Sequence, residues 1–201
     1  MTLTLHDIAQ SPHAFVYPIK LTSGEQGCLR PLEPGDANRL AQFLEGLSPR
    51  TRRLSTFEGY DLSAAESMCD AINKYDKLRF VLEFKHQVVG LIEFSFGLPK
   101  SDIARYKEAE INLDEKTDLR VGPTLADDYQ GKGLGSSVFP LITNLARQFG
   151  KNRLILWGGV LKENERAIKY YKMHGFQEVG GFSSKGDEKL DMMLDLEAKT
   201  S

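Results

Sequence analysis

The stretch Asp127-Asp128-Tyr129-Gln130-Gly131-Lys132-Gly133-Leu134-Gly135-Ser136 holds the residue types and spacing best suited to chemistry. Gly131, Gly133 and Gly135 alternate, so the backbone can approach a ligand closely and leave several N–H groups pointing together. Leu134, Val138, Leu141, Leu145 and Phe149 recur at helical spacing just afterwards, which puts those amides at a helix entrance. Free amides and the positive end of a helix dipole act in the same direction there, and both favour an anion, phosphate above all. Lys132 can add a charge-assisted contact and Ser136 a hydroxyl. A P-loop requires four residues between its first Gly and a Gly-Lys pair followed by Ser or Thr, whereas Gly131-Lys132 is followed by Gly133. A dinucleotide fingerprint requires Gly-x-Gly-x-x-Gly, and the third glycine here arrives one residue early. Both patterns fail, which leaves another kind of anion loop or a glycine-rich helix entry without a ligand.

The surrounding pattern supplies elements to hold this loop. Residues 1–14 show no periodicity and read as an extension, laid on the surface or frayed. Phe15 to Arg30 reads as a hairpin around Thr22-Ser23-Gly24-Glu25. Leu40, Phe43, Leu44 and Leu47 mark one apolar stripe of a helix with Asp36 as N-cap. Ser63-Ala64-Ala65-Glu66 has the form of a capping box, with Ala65, Met68, Cys69 and Ile72 as the buried face that follows. Arg79 to Phe84 and Val88 to Phe96 flank Lys85-His86-Gln87 as a second hairpin. The run from Gly97 to Thr117 reads as an inserted loop or a short helix over the sheet edge.

Leu119 to Leu125 is expected to be a strand, with Gly122-Pro123 suited to a bulge. Pro140 should bend the helix that follows the glycine loop. Arg153 to Trp157 reads as a buried strand, and Asn164 to Met173 as a helix stopped by Gly175, with Phe176 packing back. Leu190, Met192, Leu194 and Leu196 alternate as a last strand with one buried face.

Two motifs in this order resemble the GNAT superfamily of N-acetyltransferases. Gln130, Gly133 and Gly135 match its Gln/Arg-x-x-Gly-x-Gly/Ala motif, and Asn164, Ala167, Tyr171 and Gly175-Phe176 match its Asn-x-x-Ala-x-x-x-Tyr followed by Gly-Phe. The resemblance implies an α/β (α+β) fold: a mixed, mostly antiparallel sheet of about six to seven strands, splayed at two parallel strands, with helices on both faces and an extra N-terminal hairpin. It implies one acetyltransferase domain over 15–197, with 198–201 as a tail. Acetyl-CoA would enter the gap between Leu119–Leu125 and Arg153–Trp157, with Gly122-Pro123 interrupting the ladder. Pantetheine would lie along Leu125 and Ala126 and be held by Asn164 and Ala167, and the pyrophosphate by amides from Gln130, Gly131, Lys132, Gly133, Leu134, Gly135 and Ser136. A looser likeness, through Arg30-Pro31-Leu32-Glu33-Pro34-Gly35-Asp36, Leu47-Ser48-Pro49-Arg50 and Asp127-Asp128, points to a subgroup that includes bacterial protein-lysine acetyltransferases.

Acetyl transfer to an amine needs a neutral nitrogen, yet a lysine-type amine titrates near about 10.4 and must lose a proton. Departing CoA thiolate is helped by an acid. The resemblance gives the acid role to Tyr171, with Tyr170 in an apolar contact. A glutamate common in the subgroup at the start of the strand before the glycine loop falls here on Arg120. Glu93 is therefore the expected base, with Glu110 and Asp118 as other options and solvent deprotonation as an alternative. His86 reads as a turn residue and His174 as a helix-end residue. Trp157 suits either substrate packing or the core.

Composition sets the bounds. With 201 residues, 41% of them apolar, the chain can bury one sizeable core. The 26 Lys and Arg against 28 Asp and Glu leave a net charge of -2, so no general field attracts nucleic acid or membranes. No signal peptide or roughly 20-residue apolar span is evident, which leads to the expectation of a cytoplasmic, soluble protein. Cys28 and Cys69 lack metal-site spacing and are expected to be reduced thiols; no metal is expected. The acceptor is expected to be a small-molecule or protein amine, with the protein a monomer or homodimer. The alternative function is a non-catalytic acyl-CoA-binding regulatory domain.

Overall fold

A computed structural model describes residues 2–21, 23–70 and 77–197. The chain runs through α1 (Leu5–Gln10), β1 (Tyr17–Lys20), β2 (Gln26–Pro31), α2 (Ala37–Gly46), α3 (Pro49–Leu54), α4 (Leu62–Cys69), β3 (Lys77–Phe84) and β4 (Gln87–Ser95). It continues as α5 (Lys100–Glu108), β5 (Asp118–Leu125), α6 (Leu134–Gln148), β6 (Arg153–Leu156), β7 (Val160–Leu161), α7 (Glu165–Met173), β8 (Gln177–Ser184) and β9 (Asp187–Asp195). Ile72 and Thr22, assigned above to a helix face and a turn, lie outside the described residues, as do 198–201.

The strands form one mixed sheet in the order β1-β2-β3-β4-β5-β6-β9-β7, with β8 also paired to β9. Each pair is antiparallel except β5 with β6. The architecture is the expected one; the nine strands exceed the six to seven anticipated because the short β7 and the glycine-bearing β8 carry weak periodicity. One sheet face packs on α6 and α1 in a cluster that includes Phe80, Ile92, Phe94, Val121, Val138 and Leu145. The other face holds two separate apolar clusters. Leu40, Leu44, Ala65 and Cys69 cover Val81 and Leu91, while Tyr106 and Leu98 cover Ile155 beneath α5.

Several local expectations change. The first residues are neither frayed nor merely superficial, because Thr4 and Asp7 make a reciprocal capping box and Ile8 is 0% exposed in the main cluster. Asp36 makes no side-chain cap to α2; its carboxylate instead receives Arg30 at 2.7 and 2.8 Å and Arg39, while accepting the Glu33 amide at 3.0 Å. Asp61, two residues before Ser63, caps α4 by accepting from the Ala64 amide at 2.9 Å. The 97–117 run forms α5. It covers the second face of β9, so Asp191 is buried there while Met192 is buried on the first, where one buried face was expected. Pro140 lies inside α6, on its exposed side.

Cys28 and Cys69 are free thiols, and burial pushes Cys69 up to about 11. Among the described residues no helix is long and apolar enough to cross a membrane, and no cluster of three or more His, Cys, Asp or Glu is placed to hold a metal ion.

Candidate active site

The opening in the sheet arises without a bulge at Gly122-Pro123. The β4–β5 register is unbroken from Gly90 opposite Leu125 to Ser95 opposite Arg120, while β5 pairs with β6 only from Asp118 to Val121. The Trp157 amide donates to the Val121 carbonyl at 2.9 Å, and the two strands part beyond it. Ala126 donates to Val89 on the β4 side, so by alternation Pro123 and Leu125 turn their backbone polar groups toward the gap. The missing N–H of Pro123 therefore removes no β4 ladder bond. Pro123 can sit here because its partner strand has departed.

A cavity of about 280 Å³ occupies this gap. The glycine loop lies at one end. Gly131 and Gly133 hold left-handed φ of 72° and 80°, and a side chain at either would meet nothing within 4 Å, so their backbone faces open space. Gly135 is glycine for a different reason, since a Cβ there would lie 3.1 Å from the Tyr170 ring. Gln130 spans the mouth, donating to the Leu125 carbonyl at 2.8 Å and to Thr51 Oγ1 at 3.1 Å while accepting from Arg166.

Of the residues singled out for cofactor binding, Leu125, Gln130, Gly131, Gly133, Gly135, Ser136, Asn164, Ala167 and Tyr171 line the cavity. Lys132 is exposed outside that lining, Leu134 is 0% exposed in the core, and Ala126 packs between two apolar clusters. Asn164 also caps α7, accepting from the Ala167 amide at 3.3 Å.

Tyr171 and Tyr170 differ in a way the sequence reading anticipated only in part. Tyr170 donates its hydroxyl to the Gly135 carbonyl at 3.0 Å, whereas the Tyr171 hydroxyl has no hydrogen-bond partner among the described residues. Tyr171 is aimed by the end of its helix. Gly175, at φ 86°, lets the Phe176 amide reach the Tyr171 carbonyl at 3.0 Å and the Gly175 amide reach Lys172 at 3.1 Å, the six-to-one and five-to-two bonds of a Schellman motif. Phe176 then packs on the Tyr171 ring, 5.2 Å between centroids. Burial raises the phenol above its ordinary range, so it stays protonated at neutral pH. His174, at the C-cap, stacks on Phe139 at 4.1 Å and lies 3.1 Å from Ser136 Oγ.

Glu93 does not share this cavity. It lies in a second one of about 630 Å³ lined by Thr56, Phe57, Glu58, Lys77, Arg79 and Trp157 among others. Its side chain is buried and paired with Arg79, whose Nε donates to Oε1 at 2.8 Å. Burial, outweighing the Arg79 charge and hydrogen bond, raises its carboxyl above the ordinary value. The two cavities adjoin along the chain, since Ser55 lines the first and Thr56 the second.

The other base options lie elsewhere. Asp118 is bound by Arg153 at 2.6 Å, and Glu110 sits exposed with φ 61° just beyond α5. Arg120 reaches the Gly97 carbonyl and Ser95 Oγ, and packs 4.7 Å from the Trp157 ring centroid.

Sequence reasoning missed Thr51 and Arg166 in the first cavity. The available signal was Asp127, which accepts from the Ser48 amide, Ser48 Oγ and Thr51 Oγ1 at 2.9, 2.7 and 2.6 Å and ties α3 to the glycine loop.

A mixed sheet parted between parallel strands, with a glycine-punctuated helix entrance at the opening, defines a GNAT-fold protein. Many solved structures share it. The GNAT domain of PAT from S. lividans superposes with a TM-score of 0.69 at 18% identity, covering 92% of this chain and 98% of that one. Mycobacterium smegmatis RimJ in complex with CoA-disulfide gives 0.65 at 16%, covering 92% and 89%. The Acetyltransferase (GNAT) family profile matches residues 42–176, and the chain belongs to that family. An acetyltransferase of Pseudomonas aeruginosa is 29% identical over 130 residues, 65% of this chain. Those residues are 64% of that relative, so this chain spans somewhat less than two thirds of its length.

Proposed function

We propose that this protein moves an acetyl group from acetyl-CoA to a primary amine by direct transfer in a ternary complex. The observation that carries this reading is one cavity with open glycine-loop amides at one end and, in its wall, Tyr171, whose hydroxyl has no hydrogen-bond partner among the described residues. The amides of Gly131 to Ser136, at the start of α6, suit the diphosphate. Arg166 at the same mouth adds a cation. Leu125, whose N–H faces the gap, suits the thioester carbonyl as an oxyanion donor.

The acceptor would approach through the second cavity. Glu93 takes one ammonium proton, directly or through water, before attack; the neutral nitrogen then forms the new N–C bond as the C–S bond breaks, and its second proton passes to solvent while CoA leaves as the thiolate. A carboxylate whose pKa is raised by burial is a better proton acceptor than an ordinary one. Tyr171 donates a hydrogen bond to the departing sulfur.

The test is release of free thiol from acetyl-CoA across a panel of amines, alongside calorimetry with acetyl-CoA. Wild type should bind and turn over. Gly133→Glu, which fills the open space at a left-handed position, should lose both. Binding without turnover on any amine would instead support a non-catalytic acyl-CoA-binding domain, and no binding would remove both readings.

A further inference from the structure

Resting on that reading, we infer that the acceptor amine carries a carboxylate, and that Arg79 is the residue that reads it. The register places Lys77, Arg79, Glu93, Ser95 and Arg120 on one sheet face, because Arg79 pairs with Glu93, Lys77 with Ser95, and Ser95 with Arg120. This polar strip separates the two apolar clusters of that face. Apolar side chains would join those clusters at no desolvation cost, so the strip has no evident packing purpose.

Arg79 is the best placed of these groups. Its Nε donates to Glu93 Oε1 at 2.8 Å and its Nη2 lies 2.8 Å from the same oxygen. The guanidinium is thereby fixed along one edge. Its Nη1 makes no hydrogen bond among the described residues, although the side chain is only 9% exposed and lines the cavity. A planar fork held on one side by a buried carboxylate presents its remaining donors to a second carboxylate, the geometry that arginine recognises best.

Lys77, 5.1 Å from the Trp157 ring centroid, adds positive charge to the same floor. The acidic groups of the lining weigh less. Glu93 is matched by Arg79, and Asp61 is engaged at the N-terminus of α4. Glu58 is exposed, where water screens it. A polycationic acceptor would offer nothing to the open Nη1 edge of Arg79, whereas the carboxylate of an amino-carboxylate would accept from it.

The experiment compares acetyl-CoA turnover of matched amines that differ at one end: 5-aminopentanoate against 1,5-diaminopentane, and an amino acid against its amide. The carboxylate member of each pair should show a kcat/KM higher by about 10- to 100-fold, as expected for a desolvated charge pair. Arg79→Lys keeps the charge and loses the fork. It should raise KM for the carboxylate acceptors by about tenfold or more and collapse the acid-over-amide ratio of kcat/KM, with calorimetric affinity for acetyl-CoA unchanged. Lys77→Gln should act in the same direction, more weakly. Preference for the diamine or the amide, or a carboxylate preference that survives Arg79→Lys, would overturn the assignment while leaving acyl transfer intact. Thiol release from no amine, with acetyl-CoA still bound, would overturn both.

Discussion

Tyr170 and Tyr171 are adjacent in sequence and both line the cavity, yet the hydroxyl of Tyr170 is spent on the Gly135 carbonyl and that of Tyr171 has no hydrogen-bond partner among the described residues. That difference decides which could serve chemistry. The Tyr171 phenol is raised by burial, whereas a CoA-type thiol titrates near about 8.5 if free cysteine is the guide, so full proton transfer to the thiolate runs uphill. In the proposed reaction its contribution would then be a hydrogen bond that strengthens as charge grows on sulfur. Tyr171→Phe should lower kcat by about 100-fold while leaving the melting temperature and acetyl-CoA affinity near wild type, measured by thiol release, thermal unfolding and calorimetry. Unchanged turnover would remove Tyr171 from the mechanism.

The position of Tyr171 was legible because its spacing to Asn164 and to Gly175 is local, set by one helix and its cap. The surroundings of Asp36 were not. One arginine partner, Arg30, is shared with Glu83, 53 positions further along, and no local pattern announces such a meeting. Those hydrogen bonds and the charges of Arg30 and Arg39 hold the Asp36 carboxyl below its ordinary value although burial opposes them, so it remains an anion in the fold.

Among the elements, long periodic segments announced themselves and short ones did not. The α6 stripe was readable because Leu134, Val138 and Leu145 repeat over the length of a 15-residue helix. By contrast, α1 is six residues long with Ile8 as its one buried side chain, too little for a period to show. It is nevertheless attached to the body of the protein. The Leu3 amide donates to the Gln148 carbonyl at 2.8 Å, and Ile8 joins the main cluster. Ile8→Ala should therefore cost about 2–4 kcal/mol in urea denaturation, the range for a fully buried aliphatic truncation. A shift below about 0.5 kcal/mol would mean that the segment only rests on the surface. The same locality explains α4, where Asp61 rather than Ser63 holds the cap. Both are N-cap residue types two positions apart, and sequence alone cannot rank them when either suits a helix start.

The two faces of the sheet are built differently. One is covered by a continuous apolar cluster; the other is interrupted by the buried Arg79–Glu93 pair and its neighbours. A buried ion pair is a poor way to stabilise a fold, because desolvation of both charges offsets most of their attraction, whereas removal of one partner strands the other. Glu93→Leu alone should accordingly destabilise by about 3 kcal/mol, leaving the Arg79 guanidinium unmatched at low exposure. The double variant Arg79→Met with Glu93→Leu should return to within about 1 kcal/mol of wild type, or exceed it, by joining apolar groups across the strip. Turnover should be lost in both, while calorimetry finds acetyl-CoA affinity unchanged because the glycine loop borders the other cavity. If urea unfolding showed the double variant to be as unstable as the single one, the pair would be holding the fold together, and neither the base role of Glu93 nor the reading role of Arg79 would be needed to explain its burial.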